Sequence, residues 1–100
     1  MLLGLVAPAS AQEGVLRGRV VDGVTQRPVS EAEVTVEPSG RRALTDARGE
    51  FVIPGLEPGL YTVRASSLGY STAVEAEVRV QSSRSTFVLL EVEARAVQLE

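Results

Sequence analysis

Apolar and polar residues alternate along several short stretches of this chain. In residues 31–37, Ala32, Val34 and Val36 hold one parity, and glutamate and threonine hold the other. A period of two directs alternate side chains of a β-strand to the core and to solvent, whereas a helix would spread the same apolar set around its surface. The pattern predicts six or seven short strands, which include residues 15–21, 31–37, 51–53, 60–66, 73–81 and 87–90.

The same alternation predicts which side chains enter the core. Over residues 73–81, the inward set is Val74, Ala76, Val78 and Val80, and the outward set is Glu75, Glu77, Arg79 and Gln81. The inward residues expected in other strands include Leu16, Gly18, Val20, Phe51, Ile53, Tyr61, Val63 and Ala65. The run 87–90 is apolar at both parities, which is typical of a strand covered on two sides or of one whose outer face meets another element.

Glycine and proline separate the predicted strands. Examples are Asp22-Gly23, Arg48-Gly49 and Pro58-Gly59, which suit turns because proline fixes φ and glycine tolerates a positive φ. Turns at intervals of ~8–12 residues are typical of an antiparallel sandwich or barrel. Residues 92–100 contain good helix formers but no cap and no clear amphipathic face, so we predict a linker or tail there. The alternative is a last strand that continues from Phe87.

The first residues of the chain have a separate pattern. Residues 1–11, MLLGLVAPASA, carry no charge and place an apolar stretch before a triplet of small residues that ends at Ala11. This order is typical of a secretory signal peptide, although the basic segment that normally begins one is missing. The stretch is far shorter than the ~20 apolar residues that span a bilayer. We predict a truncated signal peptide over residues 1–11; the alternative is an apolar N-terminus that packs on the domain.

Composition narrows the classes of function. The chain of 100 residues is 44% apolar and 23% charged, as expected for one small globular domain. It lacks cysteine, histidine, tryptophan, lysine and asparagine, which removes most side chains used in nucleophilic catalysis and zinc binding. Ten arginines and thirteen carboxylates give a net charge of −3 without a long run of either sign. We therefore expect no nucleic-acid partner.

The remaining candidates for chemistry each have a structural interpretation. Asp46 could suggest a calcium ligand, but one carboxylate cannot supply ~6–8 oxygens, so we interpret it as the cap of a hairpin connection over residues 45–49. Tyr61 and Tyr70 are candidates for sugar stacking or for the core. The carboxylates that could act in pairs are Glu31, Glu33, Glu75 and Glu77, and we expect them at solvent-facing strand positions.

A family resemblance covers about residues 15–90. It rests on Gly18-Arg19-Val20-Val21-Asp22, Pro28-Val29, Ala32-Glu33-Val34, Thr45-Asp46, Gly49-Glu50-Phe51, Ile53, Leu56, Pro58-Gly59, Tyr61 and Val63. In this order these residues closely resemble the carboxypeptidase regulatory-like module. The resemblance implies an all-β fold, namely a seven-stranded antiparallel sandwich that is transthyretin-like and Ig-like. The module would occupy residues 12–91, between the signal-like segment and a linker or tail over residues 92–100.

The resemblance also has consequences for catalysis. Hydroxyisourate hydrolases on the transthyretin scaffold depend on histidines, and self-crosslinking pilin sandwiches need lysine and asparagine. This chain contains none of these residue types. We therefore expect a non-catalytic domain with no catalytic residues, no metal ligands and no cofactor, and the sequence assigns no ligand-binding residue.

Modules of this kind commonly follow the signal peptide of TonB-dependent outer-membrane receptors. The resemblance thus implies an exported domain in the periplasm or at the outer membrane of a Gram-negative bacterium. Its partners would be a periplasmic energy transducer or the receptor's own plug and barrel, and no direct membrane span is expected. Residues 88–90 and 96–100 resemble the segment that leads into the energy-coupling box. The alternative is a stand-alone exported accessory module that binds carbohydrate or another extracellular ligand.

Overall fold

The computed structural model describes Gly4 and residues 12–95, and places eight strands in two packed sheets. The strands are β1 (Gly14–Asp22), β2 (Glu33–Glu37), β3 (Arg41–Leu44), β4 (Glu50–Leu56), β5 (Gly59–Ser66), β6 (Tyr70–Ser71), β7 (Ala73–Val80) and β8 (Ser85–Ala94). The first sheet has the order β4-β1-β8-β6, and the second has the order β3-β2-β5-β7. The chain therefore crosses repeatedly between the sheets before β8 returns beside β1.

The predicted all-β sandwich is confirmed, with two differences in its strands. The described residues form eight strands rather than seven. The six ranges named from the alternation omit β3 and β6, which are short segments without a clear alternation. The sandwich is also not wholly antiparallel: β1 and β8 run parallel, from Val15 opposite Ser85 to Asp22 opposite Val92. Parallel neighbours need a long connection, and here almost the whole domain supplies it.

The core between the sheets contains most of the residues that the alternation assigns to it. Phe51 is 3% exposed, and its ring lies against Gly18 on the neighbouring strand β1. A Cβ atom at Gly18 would overlap this ring, so the glycine provides the space that Phe51 fills. The other buried members of the cluster are Leu16, Val20, Val29, Ala32, Val34, Val36, Ile53, Leu56, Val63, Ala65, Val78, Val80, Val88, Leu90 and Val92.

A bulge in β7 overturns part of the predicted alternation. Tyr61 of β5 pairs with Val78, but Val63 pairs with Glu75, so Ala76 and Glu77 together oppose one residue of β5. Glu77 has a φ of 58°, and the extra residue reverses the parity of the strand before it. The inward assignment of Val74 and Ala76 was therefore wrong, because both are exposed. Glu75 instead has the inner parity, but it remains exposed because it lies at the edge of the sandwich.

The connection over residues 45–49 crosses between the sheets and does not close a hairpin. β3 pairs with β2 in the second sheet, whereas β4 pairs with β1 in the first. The buried hydroxyl of Thr45 donates a hydrogen bond to the Val29 carbonyl at 2.7 Å and accepts one from the Ala32 N–H at 2.8 Å. These bonds attach the end of β3 to the loop between β1 and β2. Because β3 and β4 belong to different sheets, the hairpin prediction was wrong in topology.

The last strand enters the stretch that we predicted as a linker or tail. β8 continues to Ala94, and Val92 is 1% exposed, so at residues 92–94 the chain follows the alternative of a continued strand. Residues 96–100 lie outside the described part of the chain. The same is true of residues 1–3 and 5–11, so the signal peptide stays a prediction.

Candidate interaction surface

The first sheet exposes apolar and arginine side chains together on its outer face. In one row Arg17 of β1 lies between Val52 of β4 and Phe87 of β8, and in the next row Arg19 lies beside Leu89. Phe87 is 66% exposed, and Val52 and Leu89 are each 46% exposed. We call these five residues the arginine–apolar face. Exposed apolar residues that adjoin one another mark an interaction surface more often than scattered ones do.

The arginines of this face have no carboxylate partner within the described part of the chain. The Arg19 Nε atom donates a hydrogen bond to the Arg48 carbonyl at 3.1 Å. Arg17, Val52, Phe87 and Glu50, among others, line a shallow depression of about 150 Å³. The face therefore combines an aromatic ring, a free guanidinium and a nearby carboxylate.

The outer edge of β8 carries backbone groups that no described strand pairs with. The Arg84 carbonyl accepts a hydrogen bond from the Val15 N–H at 2.9 Å, and the Val92 carbonyl accepts one from the Gly23 N–H at 2.8 Å. Even-numbered residues of β8 therefore direct their backbone groups toward β1. The odd-numbered residues Phe87, Leu89 and Glu91 direct theirs to the opposite edge, where β6 pairs only with residues 93–94.

A groove lies between this edge and the first half of β7. Its volume is about 420 Å³, and its lining residues are Ala73, Val74, Glu75, Leu89, Leu90 and Glu91. β6 pairs with β8 in the first sheet, and the chain then passes to β7 in the second sheet, which leaves the space between them open. Glu75 and Glu91 give the groove a negative rim, and the Glu91 carboxylate accepts a hydrogen bond from Gln26 Nε2 at 3.2 Å.

Asp46 caps the crossing connection through backbone hydrogen bonds. Its carboxylate accepts the N–H groups of Arg48 and Glu50, each at 2.9 Å, and Gly49 has a φ of 75°. The bond from the Glu50 N–H, aided by Arg48, lowers the pKa of Asp46 below its usual value. Asp22 has a comparable role, because the N–H groups of Thr25 and Val24 lower the pKa of its carboxyl.

The two tyrosines are both half-buried against the core. The Tyr61 hydroxyl donates a hydrogen bond to the Glu57 carbonyl at 2.5 Å. Burial, followed by the charge of Glu57, raises the pKa of Tyr61. Burial also raises the pKa of Tyr70, and the nearby Asp22 carboxylate adds to that effect. Neither ring presents an open aromatic platform comparable with that of Phe87.

The four glutamates considered as catalytic pairs are all exposed and do not form one site. Glu33 forms an ion pair with Arg42 at 3.3 Å, and together with Glu31 it lines a groove beside the loop after β5. Glu75 lines the separate groove beside β8, and Glu77 lies in the bulge. No group of three or more histidine, cysteine, aspartate or glutamate side chains within residues 12–95 is arranged to hold a metal ion.

Sequence reasoning did not identify the β8 edge as a candidate site. Its signal was present in the run 87–90, which is apolar at both parities. Val88 and Leu90 face the core, and Phe87 and Leu89 remain exposed, so the second apolar parity is an outer face that no other described element covers. Residues 12–95 also contain no helix that is long and apolar enough to cross a membrane.

Comparison with known families accounts for this architecture. The model of the carboxypeptidase regulatory-like domain matches residues 15–93. The chain belongs to this family. The carboxypeptidase regulatory-like domain is regulatory and non-catalytic, which agrees with the chemistry of the residues present. The match begins at the second residue of β1 and ends one residue before the end of β8, so it includes nearly all of the eight strands.

Among individual proteins, the chain is 28% identical over 87 residues to the TonB-dependent transporter Oar of Myxococcus xanthus. This match covers 83% of the chain but only 8% of the length of Oar. Two solved structures illustrate how widely the fold occurs. The minor pilin GBS52 of Streptococcus agalactiae has a TM-score of 0.65 at 21% identity, over 89% of this chain and 48% of that one. A candidate carbohydrate-binding protein of Pseudomonas aeruginosa has a TM-score of 0.63 at 16% identity, over 82% and 90% respectively.

Proposed function

We propose that this chain is a non-catalytic protein-interaction module at the periplasmic side of a TonB-dependent outer-membrane receptor. The observation that carries the proposal is the similarity to Oar over 83% of the chain, within a regulatory, non-catalytic family. In this role the domain is an N-terminal extension of the receptor. It contacts the periplasmic part of the energy transducer or the receptor's own plug.

The surface of the sandwich supports this role. Phe87 and Leu89 stand beside Arg17 and Arg19 on an outer face that no other described element covers. A partner that buries Phe87 would remove its apolar surface from water, which stabilises a complex by roughly 25 cal/mol for each Å² buried. The module needs no catalytic residue to perform this task.

The reading frame on both sides of this sequence tests the receptor assignment. We expect a basic segment upstream of Met1, and a coupling box, a plug and a long barrel downstream of Glu100. A stop codon directly after Glu100 would contradict the assignment to a receptor.

A binding measurement tests the interaction role. The purified chain is titrated with the periplasmic part of the source organism's energy transducer, and binding is followed by calorimetry. Phe87→Ser should weaken binding by about fivefold or more, because truncation of a buried aromatic anchor costs over ~1 kcal/mol. Leu44→Ser is the matched control, since Leu44 is also 66% exposed but lies on the second sheet. Equal effects of the two substitutions would contradict the role of the arginine–apolar face.

Carbohydrate binding is the second candidate function, and a specific observation favours it. The exposed ring of Phe87 adjoins Arg17 and Glu50 at the shallow depression of about 150 Å³. An apolar ring with polar groups beside it suits the face and hydroxyls of a sugar. Titration with a panel of neutral oligosaccharides, followed by NMR, tests this function. Shifts confined to residues around Phe87 would support it, and unchanged spectra would exclude the sugars tested.

A further inference from the structure

We infer that the outer edge of β8 binds an extended, basic segment of a partner protein by strand addition. This inference rests on the interaction role proposed above and specifies the site and the chemistry of the partner. The site is the edge from Ser85 to Glu91, together with the groove between that edge and β7.

The first argument is the backbone of β8. Phe87, Leu89 and Glu91 direct their N–H and C=O groups away from β1, and β6 begins to pair only at Glu93. These groups supply the ladder that an added strand requires. Proteins usually protect such an edge with lysine, proline or a short strand. β8 spans ten residues and contains neither lysine nor proline.

The second argument is the shape of the edge. An added strand would continue the line of β6, since β6 already lies beside β8 in the same sheet. The space available lies between β6 and the turn over residues 81–84. The bulge at Ala76 and Glu77 alters the path of β7 beside this space, and the groove of about 420 Å³ can receive the inward side chains of the added strand.

The third argument concerns the chemistry of the occupant. Phe87 and Leu89 lie on the outer face, so the side chains that an added strand places beside them should be apolar. Glu75, at the inner parity of β7, lines the groove and forms no ion pair within the described residues, so the alternate side chains should be basic. Glu91 has the same outer parity as Phe87 and Leu89 and adds negative charge at the end of that row. The partner segment therefore alternates apolar and basic residues over about seven positions.

A second copy of this chain fits the edge less well than a single extended segment. If two β8 strands paired antiparallel over residues 85–91, the turn over residues 81–84 of each copy would approach β6 of the other. Each copy would also bring another set of rim carboxylates. An isolated strand carries neither obstacle.

The experiment uses the whole chain and a capped seven-residue peptide of alternating arginine and valine as the probe. Fluorescence anisotropy measures its affinity, and an otherwise identical peptide with glutamate in place of arginine is the charge control. We expect the basic probe to bind at least about tenfold more tightly, because each exposed charge pair contributes up to ~1 kcal/mol. Equal binding of the two peptides would overturn the basic character of the partner.

N-methylated probes test the strand geometry itself. Methylation of one alternating set of peptide amides should weaken binding by about tenfold or more, since it removes the donors that face β8. Methylation of the other set, which faces away from β8, should have little effect. Equal losses from both sets would indicate attraction without a ladder and would overturn strand addition.

Two glutamate variants provide the matched test on the protein. Glu75→Gln should weaken binding of the basic probe by about threefold, because it removes one rim charge without altering the fold. Glu57→Gln is the control, since Glu57 is exposed on the connection after β4. Both variants keep the edge of β8 intact, so equal affinities would overturn the assignment of Glu75 to the site.

Amide hydrogen exchange tests whether the edge of β8 is open in the free chain and covered by the probe. In the free chain, the amides of Phe87, Leu89 and Glu91 should exchange rapidly, and the basic probe should protect them. Protection of these amides before the probe is added would mean that a second copy or another segment of this chain covers the edge, which overturns the inference. If the reading frame encodes a receptor but the peptide does not bind, the proposed function stands and the β8 site is rejected. If the peptide binds but a stop codon follows Glu100, the β8 site stands and the receptor assignment is rejected.

Discussion

The two outer faces of the sandwich differ in whether their charged residues form ion pairs. On the second sheet, Glu33 pairs with Arg42 and Glu37 pairs with Arg64, each at 3.3 Å, and we call this the ion-paired face. On the first sheet, the arginines of the arginine–apolar face stand beside Val52, Phe87 and Leu89 without such partners in the described chain.

Both faces carry charged residues and exposed apolar residues, but they differ in what they leave available for a partner. The ion-paired face also exposes Leu44, but Glu33 lies directly across from it, and that carboxylate is held by Arg42. A face whose charges satisfy one another has little to offer a partner. The arginine–apolar face adjoins an open strand edge, so its apolar side chains and backbone groups can act together.

The largest expected difference is in the free energy of unfolding after truncation of each of the two phenylalanines. Phe51 is 3% exposed and fills the space over Gly18, so Phe51→Ala should lower the free energy of unfolding by ~3–5 kcal/mol. Phe87 is 66% exposed, and Phe87→Ala should change that free energy by less than ~0.5 kcal/mol. Urea denaturation of both variants gives the comparison. A large loss at Phe87 would mean that the arginine–apolar face is part of the folded core.

This contrast also shows what local patterns can and cannot predict. The period of two correctly places Leu16, Val34, Phe51 and Val63 in the core, because burial on one side of a strand is a local property. It fails in β7, where a single inserted residue at Glu77 reverses the parity without any change in composition.

Other features depend on contacts between distant parts of the chain. The parallel pairing of β1 with β8 joins the two ends of the domain, and no local pattern encodes it. The run 87–90 correctly indicates a strand with two apolar faces, but only the sheet order reveals that Phe87 and Leu89 remain exposed. The sequence therefore shows the apolar residues of the candidate surface, but only the sheet topology shows that they are exposed.

A smaller effect should follow from filling the space beneath the arginine–apolar face. Gly18→Ala adds a Cβ atom that meets the Phe51 ring and the Val88 carbonyl, so it should destabilise the fold by ~1–3 kcal/mol. Gly23→Ala is the matched control, because the nearest atoms to its added Cβ lie at 3.6 Å. Thermal unfolding of the two variants measures the difference. Equal stabilities would show that Phe51 does not depend on the missing side chain of Gly18.

Acid should lower the free energy of unfolding by protonating the aspartates that cap two turns, Asp22 and Asp46. The pKa values of Asp22 and Asp46 are lowered in the folded state by backbone hydrogen bonds, so their stabilising effect is complete above about pH 4. It should be lost as pH falls through the lower folded-state pKa, because the unfolded chain then binds more protons. Asp46→Asn should flatten part of this decline in urea titrations at successive pH values. An unchanged pH profile would contradict the role of the Asp46 cap.

The smallest effect should distinguish the electrostatics of the two faces directly. A double-mutant cycle with Glu33→Gln and Arg42→Met should give a coupling of ~0.2–1 kcal/mol, because exposed ion pairs contribute only that much. The coupling should decrease at high salt, where surface charges are screened. The same cycle with Glu50→Gln and Arg17→Met should give a coupling near zero, since Glu50 and Arg17 line the same shallow depression without forming an ion pair. Equal couplings would remove the electrostatic contrast and leave exposed apolar surface and the open edge as the features that set the arginine–apolar face apart.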